Sequence, residues 1–172
     1  MDKVNMKKIT KIDRLLIKWK MLFIPDGPEG DKKRGDLYLP FLKSSGENFK
    51  IATGAIIFNP NGLHVGNHVY IGFNTYLGQG EIFLDDEVLI GPFVSITASN
   101  HLRKNASYRF GGYKSEKIKI GKGTWIAAHV SILAGTTIGT GSLLAAGSVV
   151  TKSFEDNKLI AGIPAKIIKD LT

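Results

Sequence analysis

Aliphatic side chains recur at every sixth residue along much of this chain, and few folds accept that period. Three runs carry it: Val65, Ile71 and Leu77; Leu84, Ile90 and Ile96; and Ile120, Ile126, Ile132, Ile138, Leu144 and Val150. Ile, Leu and Val fill 44 of the 172 residues, so twelve hits by chance have a probability on the order of 10⁻⁷, before allowing for the choice of register and two breaks. The period matches neither an amphipathic helix nor a plain alternating strand. Six residues make a short extended piece and a corner. Three such units close a triangular coil, whose aliphatics point inward and stack on the next coil about 4.8 Å away, the spacing of paired strands. One unit cannot bury its apolar side alone, but a stack of units can.

The neighbouring positions fit this geometry. The residue after each aliphatic is usually small, as in Gly66, Gly72, Gly91, Gly121, Ala127 and Ala145, which is expected to relieve a tight corner. The residue two before it is mostly small or β-branched, as in Val69, Thr75, Thr124 and Ser148, which is expected to suit flat faces. Four coils are predicted over 65–82, 84–101, 120–137 and 138–155, after an irregular first coil over 51–64. The period breaks at Gly78-Gln79-Gly80, which adds one residue. It breaks again between Ile96 and Ile120, where about eighteen residues leave the coil as an ejected loop at about 97–117.

The ends differ. Residues 5–23 carry Ile9, Ile12, Leu16, Trp19 and Phe23 at helical spacing, and residues 25–36 read as a polar loop broken by Pro and Gly. Residues 1–36 are therefore expected to form an N-terminal helix and loop, and 37–172 a β-helix domain closed by AGIPAKIIKDL, a turn with a short extended or helical piece. Residues 1–36 hold ten Lys/Arg against six Asp/Glu, half of the net charge of +8. Lys7, Lys8, Lys11, Arg14, Lys18 and Lys20 around the apolar stripe leave two readings: a cap over the open end of the solenoid, which is favoured, or a weak contact with an anionic membrane surface. No apolar run spans a bilayer and no secretory leader is evident, so a cytoplasmic protein is expected. The absence of cysteine removes disulfides, thiolate zinc sites and a thiol nucleophile. No recognition motif for nucleic acid is present.

The run IGKGTWIAAHVSILAGTTIGTGSLLAAGSVVTK, followed by AGIPAK, resembles the hexapeptide-repeat acyltransferases, in the branch of the galactoside and maltose O-acetyltransferases and their polysaccharide-modifying relatives. The resemblance spans roughly residues 50–170. It implies an all-β fold, a left-handed parallel β-helix; the hand comes from the resemblance alone, since ordinary crossovers favour the right. It also implies a homotrimer with acetyl-CoA as co-substrate, lying between subunits, and a sugar or glycan acceptor.

Transfer of acetyl from a thioester to a hydroxyl needs a group that removes the hydroxyl proton, and imidazole suits that task. Of His64, His68, His101 and His129, only His101 stands at the root of the ejected loop, where the resemblance places the general base. The chain has no G-x-S-x-G and no Cys, so direct transfer is expected rather than a covalent intermediate. Asn74 matches a family asparagine that holds the acceptor hydroxyl, and Asn100 either orients His101 or caps the loop. Arg103, Tyr108, Arg109 and Tyr113 offer cations and aromatic faces to an acceptor. The resemblance assigns Trp125, Ala128 and Ala146 to the pantetheine arm, Thr151 and Lys152 to the nucleotide end, and Lys166 and Lys169 to the phosphates. No metal is implied: the histidine pair of a zinc hydratase on this solenoid would need a second histidine five after His129, where Ala134 stands. An N-acetyltransferase of an amino-sugar nucleotide and an antibiotic O-acetyltransferase are the alternative acceptor readings. The acidic acceptor contact that galactoside and maltose enzymes bring from their helical cap has no match in the N-terminal segment.

Overall fold

The computed structural model describes residues 7–172; the first two residues of the predicted helical stretch, with the rest of residues 1–6, lie outside them. The chain winds into a left-handed parallel β-helix of about six turns. Its first face stacks Ser44–Ser45, Leu63–Val65, Ile82–Leu84, Ile118–Ile120 and Thr137–Ile138. The second stacks Lys50–Ile51, Tyr70–Ile71, Leu89–Ile90, Trp125–Ile126, Leu143–Leu144 and Lys158–Gly162. The third stacks Ile56–Ile57, Tyr76–Leu77, Ser95–Ile96, Ser131–Ile132 and Val149–Val150. All twelve periodic aliphatics are buried, none more than 3% exposed. They form one column of apolar contact through the axis of the coil.

Register explains where the period was hard to see. Ser131 pairs with Val149 eighteen residues on, whereas Tyr70 pairs with Leu89 and Lys50 pairs with Tyr70 across longer corners. The first coil therefore begins at Ser44 and has all three faces, rather than being an irregular segment over 51–64. The small residues after each aliphatic have a different cause from the one expected. A Cβ on Gly72 would lie 2.5 Å from the carbonyl oxygen of Gly91 in the next coil, so close stacking, not turn conformation, requires the small residue. The left-handed backbone falls two residues later, at Asn74, Phe93 and His129. Thr75, Thr124, Thr136 and Ser148 do not lie on the flat faces either. They are buried at the corners, where Thr75 Oγ1 donates to Gly91 O at 2.8 Å and Ser148 Oγ to Ala145 O at 2.6 Å. A short polar side chain there satisfies a carbonyl that the corner would otherwise strand.

The N-terminal region holds two helices, not one helix and a loop. Helix α1, Lys11–Met21, starts at a capping box in which Thr10 and Asp13 exchange hydrogen bonds. Lys7 and Thr10 together hold the Asp13 carboxyl down to about 2. Helix α2, Pro28–Tyr38, occupies the predicted loop. Pro28 opens it, where a missing N–H costs nothing. Gly30 and Gly35 are packing sites rather than breakers: a Cβ at Gly35 would lie 2.2 Å from Phe49 O. The predicted stripe on α1 does not turn inward. Ile17 reaches the core, while Ile12, Leu16, Trp19 and Phe23 remain exposed.

Arg34 ties the segment between the two helices to α2. Its guanidinium is 2% exposed, binds Asp31 at 2.8 Å and Asp26 at 3.0 Å, and donates to the carbonyls of Ile24 and Pro25. Arg34→Ala is expected to lower the urea-unfolding free energy by about 2–3 kcal/mol, less than for a fully buried pair because Asp26 lies in water. Arg34→Lys should recover only part of this, because an ammonium cannot fork between two carboxylates and two carbonyls.

The end of the chain is extended. Lys158–Gly162 turns back into Ala165–Asp170 as an antiparallel hairpin that covers the last full coil of the second face. No described helix is long and apolar enough to cross a membrane.

Candidate active site

The edge between the second and third faces is a ladder of corners. Asn74 N donates to Thr53 O, Phe93 N to Phe73 O, His129 N to Pro92 O and Gly147 N to Ala128 O, each between 2.9 and 3.1 Å. Asn74, Phe93, His129 and Gly147 thus stand in one line, all with φ between 52° and 73°. Asparagine and glycine adopt that conformation at low cost; Phe and His do so only where the surroundings hold them. The holding contact is visible: the Phe93 and His129 rings lie parallel at 5.0 Å, and Phe73 meets Phe93 edge-on at 5.5 Å. Ala128 and Ala146 fall on the same edge. Trp125 lies on the adjoining second face between Leu89 and Leu143, half-exposed. Four of the sequence-predicted residues, Asn74, Trp125, Ala128 and Ala146, therefore share one side of the solenoid.

His101 lies on a different edge. The ejected loop leaves the coil after Ala98, between the third and first faces, and Ile82–Leu84 pairs directly with Ile118–Ile120. The loop is a two-stranded arm: Ser99–His101 runs antiparallel to Tyr113–Ser115, with His101 opposite Tyr113 and Asn100 opposite Lys114. Leu102 N donates to Gly112 O at 3.0 Å to close it. Beyond that bond the arm bends at a Lys104–Ser107 bridge, and the Arg109 guanidinium lies 5.9 Å from the Phe110 ring. Arg103, Tyr108, Arg109 and Tyr113 are all exposed along this arm. Thr151 and Lys152 project from the same third–first edge after the last full coil, and Lys152 Nζ sits 5.7 Å from the Phe154 ring. Lys166 and Lys169 lie on the final strand, exposed beyond that coil.

The third face separates the two edges, so one chain does not bring His101 to Asn74. The other histidines are engaged by the coil. His64 stacks on Phe83 at 4.0 Å and contacts Ser44 Oγ at 3.2 Å; burial pushes its ionisation down, against the pull of Glu81. His68 contacts Asn48 at 3.0 Å, and His129 is stacked on Phe93. His101 is the one histidine carried outside the solenoid. Among the described residues no cluster of three His, Cys, Asp or Glu side chains could hold a metal ion.

Comparison with known proteins matches the same elements. The bacterial transferase hexapeptide family (six repeats) matches residues 117–152. The galactoside O-acetyltransferase of Escherichia coli K12 is 33% identical over 150 residues, 84% of this chain and 71% of that protein. The chain belongs to the hexapeptide-repeat acyltransferases. Within them it falls in the sugar O-acetyltransferase branch, and it is an acetyltransferase. A galactoside acetyltransferase solved in complex with coenzyme A superposes with a TM-score of 0.73 at 28% identity, covering 96% of this chain and 86% of that one. A maltose O-acetyltransferase from Clostridium difficile 630 gives 0.73 at 25% identity, covering 94% and 87%.

Two features of this hexapeptide-repeat chain escaped sequence reasoning. The Phe93–His129 stack sits between Asn74 and Ala146, and its signal was a ring in a corner slot that Gly54, Asn74 and Gly147 fill elsewhere on that edge. Phe110, 78% exposed, is a further aromatic of the arm. Gly111 shapes that arm, since a Cβ there would lie 1.8 Å from Leu102 O. Gly111→Ala is expected to reduce acetyl transfer at least about tenfold, through misplacement of the arm. The melting temperature should stay within about 2 °C, because the arm is not part of the stacked core.

Proposed function

We propose that the chain transfers the acetyl group of acetyl-CoA to a hydroxyl of a sugar, within a surface polysaccharide or its precursor, as a homotrimer. The observation that carries this reading is the split of the candidate residues between two edges of the triangle. Asn74, Ala128 and Ala146 occupy one edge; His101 and the arm, with Thr151 and Lys152, occupy another. A site that needs both edges can form only where two copies meet, and a closed three-fold ring makes three equal sites.

In such a site His101 accepts the acceptor hydroxyl proton as the oxygen attacks the thioester carbon. The C–O bond forms, the C–S bond breaks, and the imidazolium returns its proton to the departing sulfur, which leaves as the free thiol of CoA. Asn74 holds the acceptor oxygen without competing for its proton. Asn100 adjoins His101 on the arm and orients it. Ala128 and Ala146 let the pantetheine arm lie against the coil wall, with Trp125 beside it. Thr151 and Lys152 meet the nucleotide, and Lys166 and Lys169 supply charge for the phosphates. Arg103, Tyr108, Arg109 and Tyr113 contact the glycan. The relatives' acceptors, galactoside and maltose, and the coenzyme A in one solved relative support this reading.

The test is mass spectrometry of sugars and oligosaccharides after incubation with acetyl-CoA, with the particle mass measured alongside. Esterified glycan from a trimeric protein is the expected result. Amide products alone, from amino-sugar nucleotides, would overturn transfer to oxygen, and a monomeric active enzyme would overturn the shared site.

A further inference from the structure

Helix α1 is amphipathic in an unexpected direction. At 3.6 residues per turn, Ile17 and Met21 project toward the solenoid, whereas Leu15, Trp19, Ile12, Phe23 and Leu16 project from the opposite side. Leu15 is 69% exposed and Leu22, at the end of the helix, 78%. Trp19 and Phe23 meet edge-to-face at 5.3 Å and border a hollow shared with Lys20, Lys33, Leu37 and Asp36, whose carboxylate pairs with Lys32. Cations flank the stripe on both sides: Lys11 and Lys18 along one border, Lys20 along the other, all exposed. The one carboxylate of the helix, Asp13, lies on the Lys20 border, where Lys7 at 2.7 Å neutralises it and Thr10 binds it.

We propose that this face of α1 docks on an anionic lipid surface. An apolar strip with aromatic rings, bordered by lysines, lies in the plane of a bilayer interface, with its rings at the headgroup level and its ammonium groups on lipid phosphates. Eleven residues are too few to span a bilayer, so the helix rests on the surface. Charge selects this occupant over a second copy of the chain. Two copies of the stripe laid face to face and antiparallel would set Lys11 and Lys18 of one against those of the other, at a net charge of +8 per chain. An anionic headgroup layer neutralises the same borders. Such docking would hold the enzyme beside glycans carried on lipid, and it stands apart from the acetyl-transfer reading because it needs neither His101 nor the coenzyme.

The experiment is flotation of the whole protein with vesicles of phosphatidylglycerol and phosphatidylcholine against vesicles of phosphatidylcholine alone. Binding at least about tenfold stronger to the anionic vesicles, weakening as salt rises, is the expected result. Leu22→Glu with Phe23→Glu should abolish it, and Lys18→Glu with Lys20→Glu should remove the preference for anionic lipid, both at unchanged melting temperature. Quenching by brominated lipid should vanish in Trp19→Phe. Equal or absent binding to the two vesicles, or unchanged binding of Leu22→Glu with Phe23→Glu, would overturn the proposal. So would a change in the particle mass of that variant without lipid, since another copy would then cover the stripe. Acetyl transfer to a water-soluble acceptor, followed in parallel, reports on the catalytic reading separately.

Discussion

His101→Ala is expected to lower kcat for acetyl transfer at least about a hundredfold, with little change in KM for acetyl-CoA or in melting temperature. The side chain is exposed on its arm and supports no part of the coil, so its loss costs chemistry rather than folding. Mixing sharpens the test. Asn74→Ala is also expected to be slow, and a trimer assembled from both variants should recover activity. Where an intact His101 from one chain faces an intact Asn74 from its neighbour, the site is whole. Random assembly gives such pairs at about a quarter of sites. Recovery of that order would place the two residues on different chains at one site; none would place each site within a single chain.

Ile90→Ala should be the most costly conservative change in the solenoid, at about 2–5 kcal/mol of unfolding free energy by chemical denaturation. Ile90 is fully buried in the middle of the stack, with Ile71 below and Ile126 above. A coil backbone hydrogen-bonded on both sides has little freedom to close the cavity. Leu89→Ala, one residue away on the outer surface, should cost less than about 1 kcal/mol, because that side chain is already 44% in water. A similar loss from both would mean that the inward column is not what holds the coils together.

The solenoid was legible because its period is global: one inward aliphatic per face repeats where the corners have equal length. It fades toward the N-terminus, where longer corners shift each coil against the next, so the coil from Ser44 reads in sequence as an irregular segment over 51–64. Helix α2 reads as a loop in the sequence because Pro28, Gly30 and Gly35 carry the residue types of one. Their actual causes, an N-terminal proline and two close backbone approaches, exist only in the packed state. The stripe on α1 was seen, but spacing alone does not say which side of a helix meets the core. At the candidate site, His101 stands out in the sequence by its place at the root of the break in the period, and the role expected of it comes from the family resemblance. The Phe93–His129 stack does not stand out, since its two rings are 36 positions apart in sequence and meet only through the pairing of the coils.

Ser99 pairs with Ser115, and Glu116 N donates to Ala98 O at 3.0 Å, so the coil closes at the root of the arm whatever lies between them. The hairpin is a cassette: its two ends already meet, so its length and composition can change while the columns on either side keep their alignment. On the proposed reading, acceptor preference can then diverge by exchange of the segment beyond His101, with the coil wall left unchanged. A graft of the corresponding segment from another branch should carry its preferred alcohol with it.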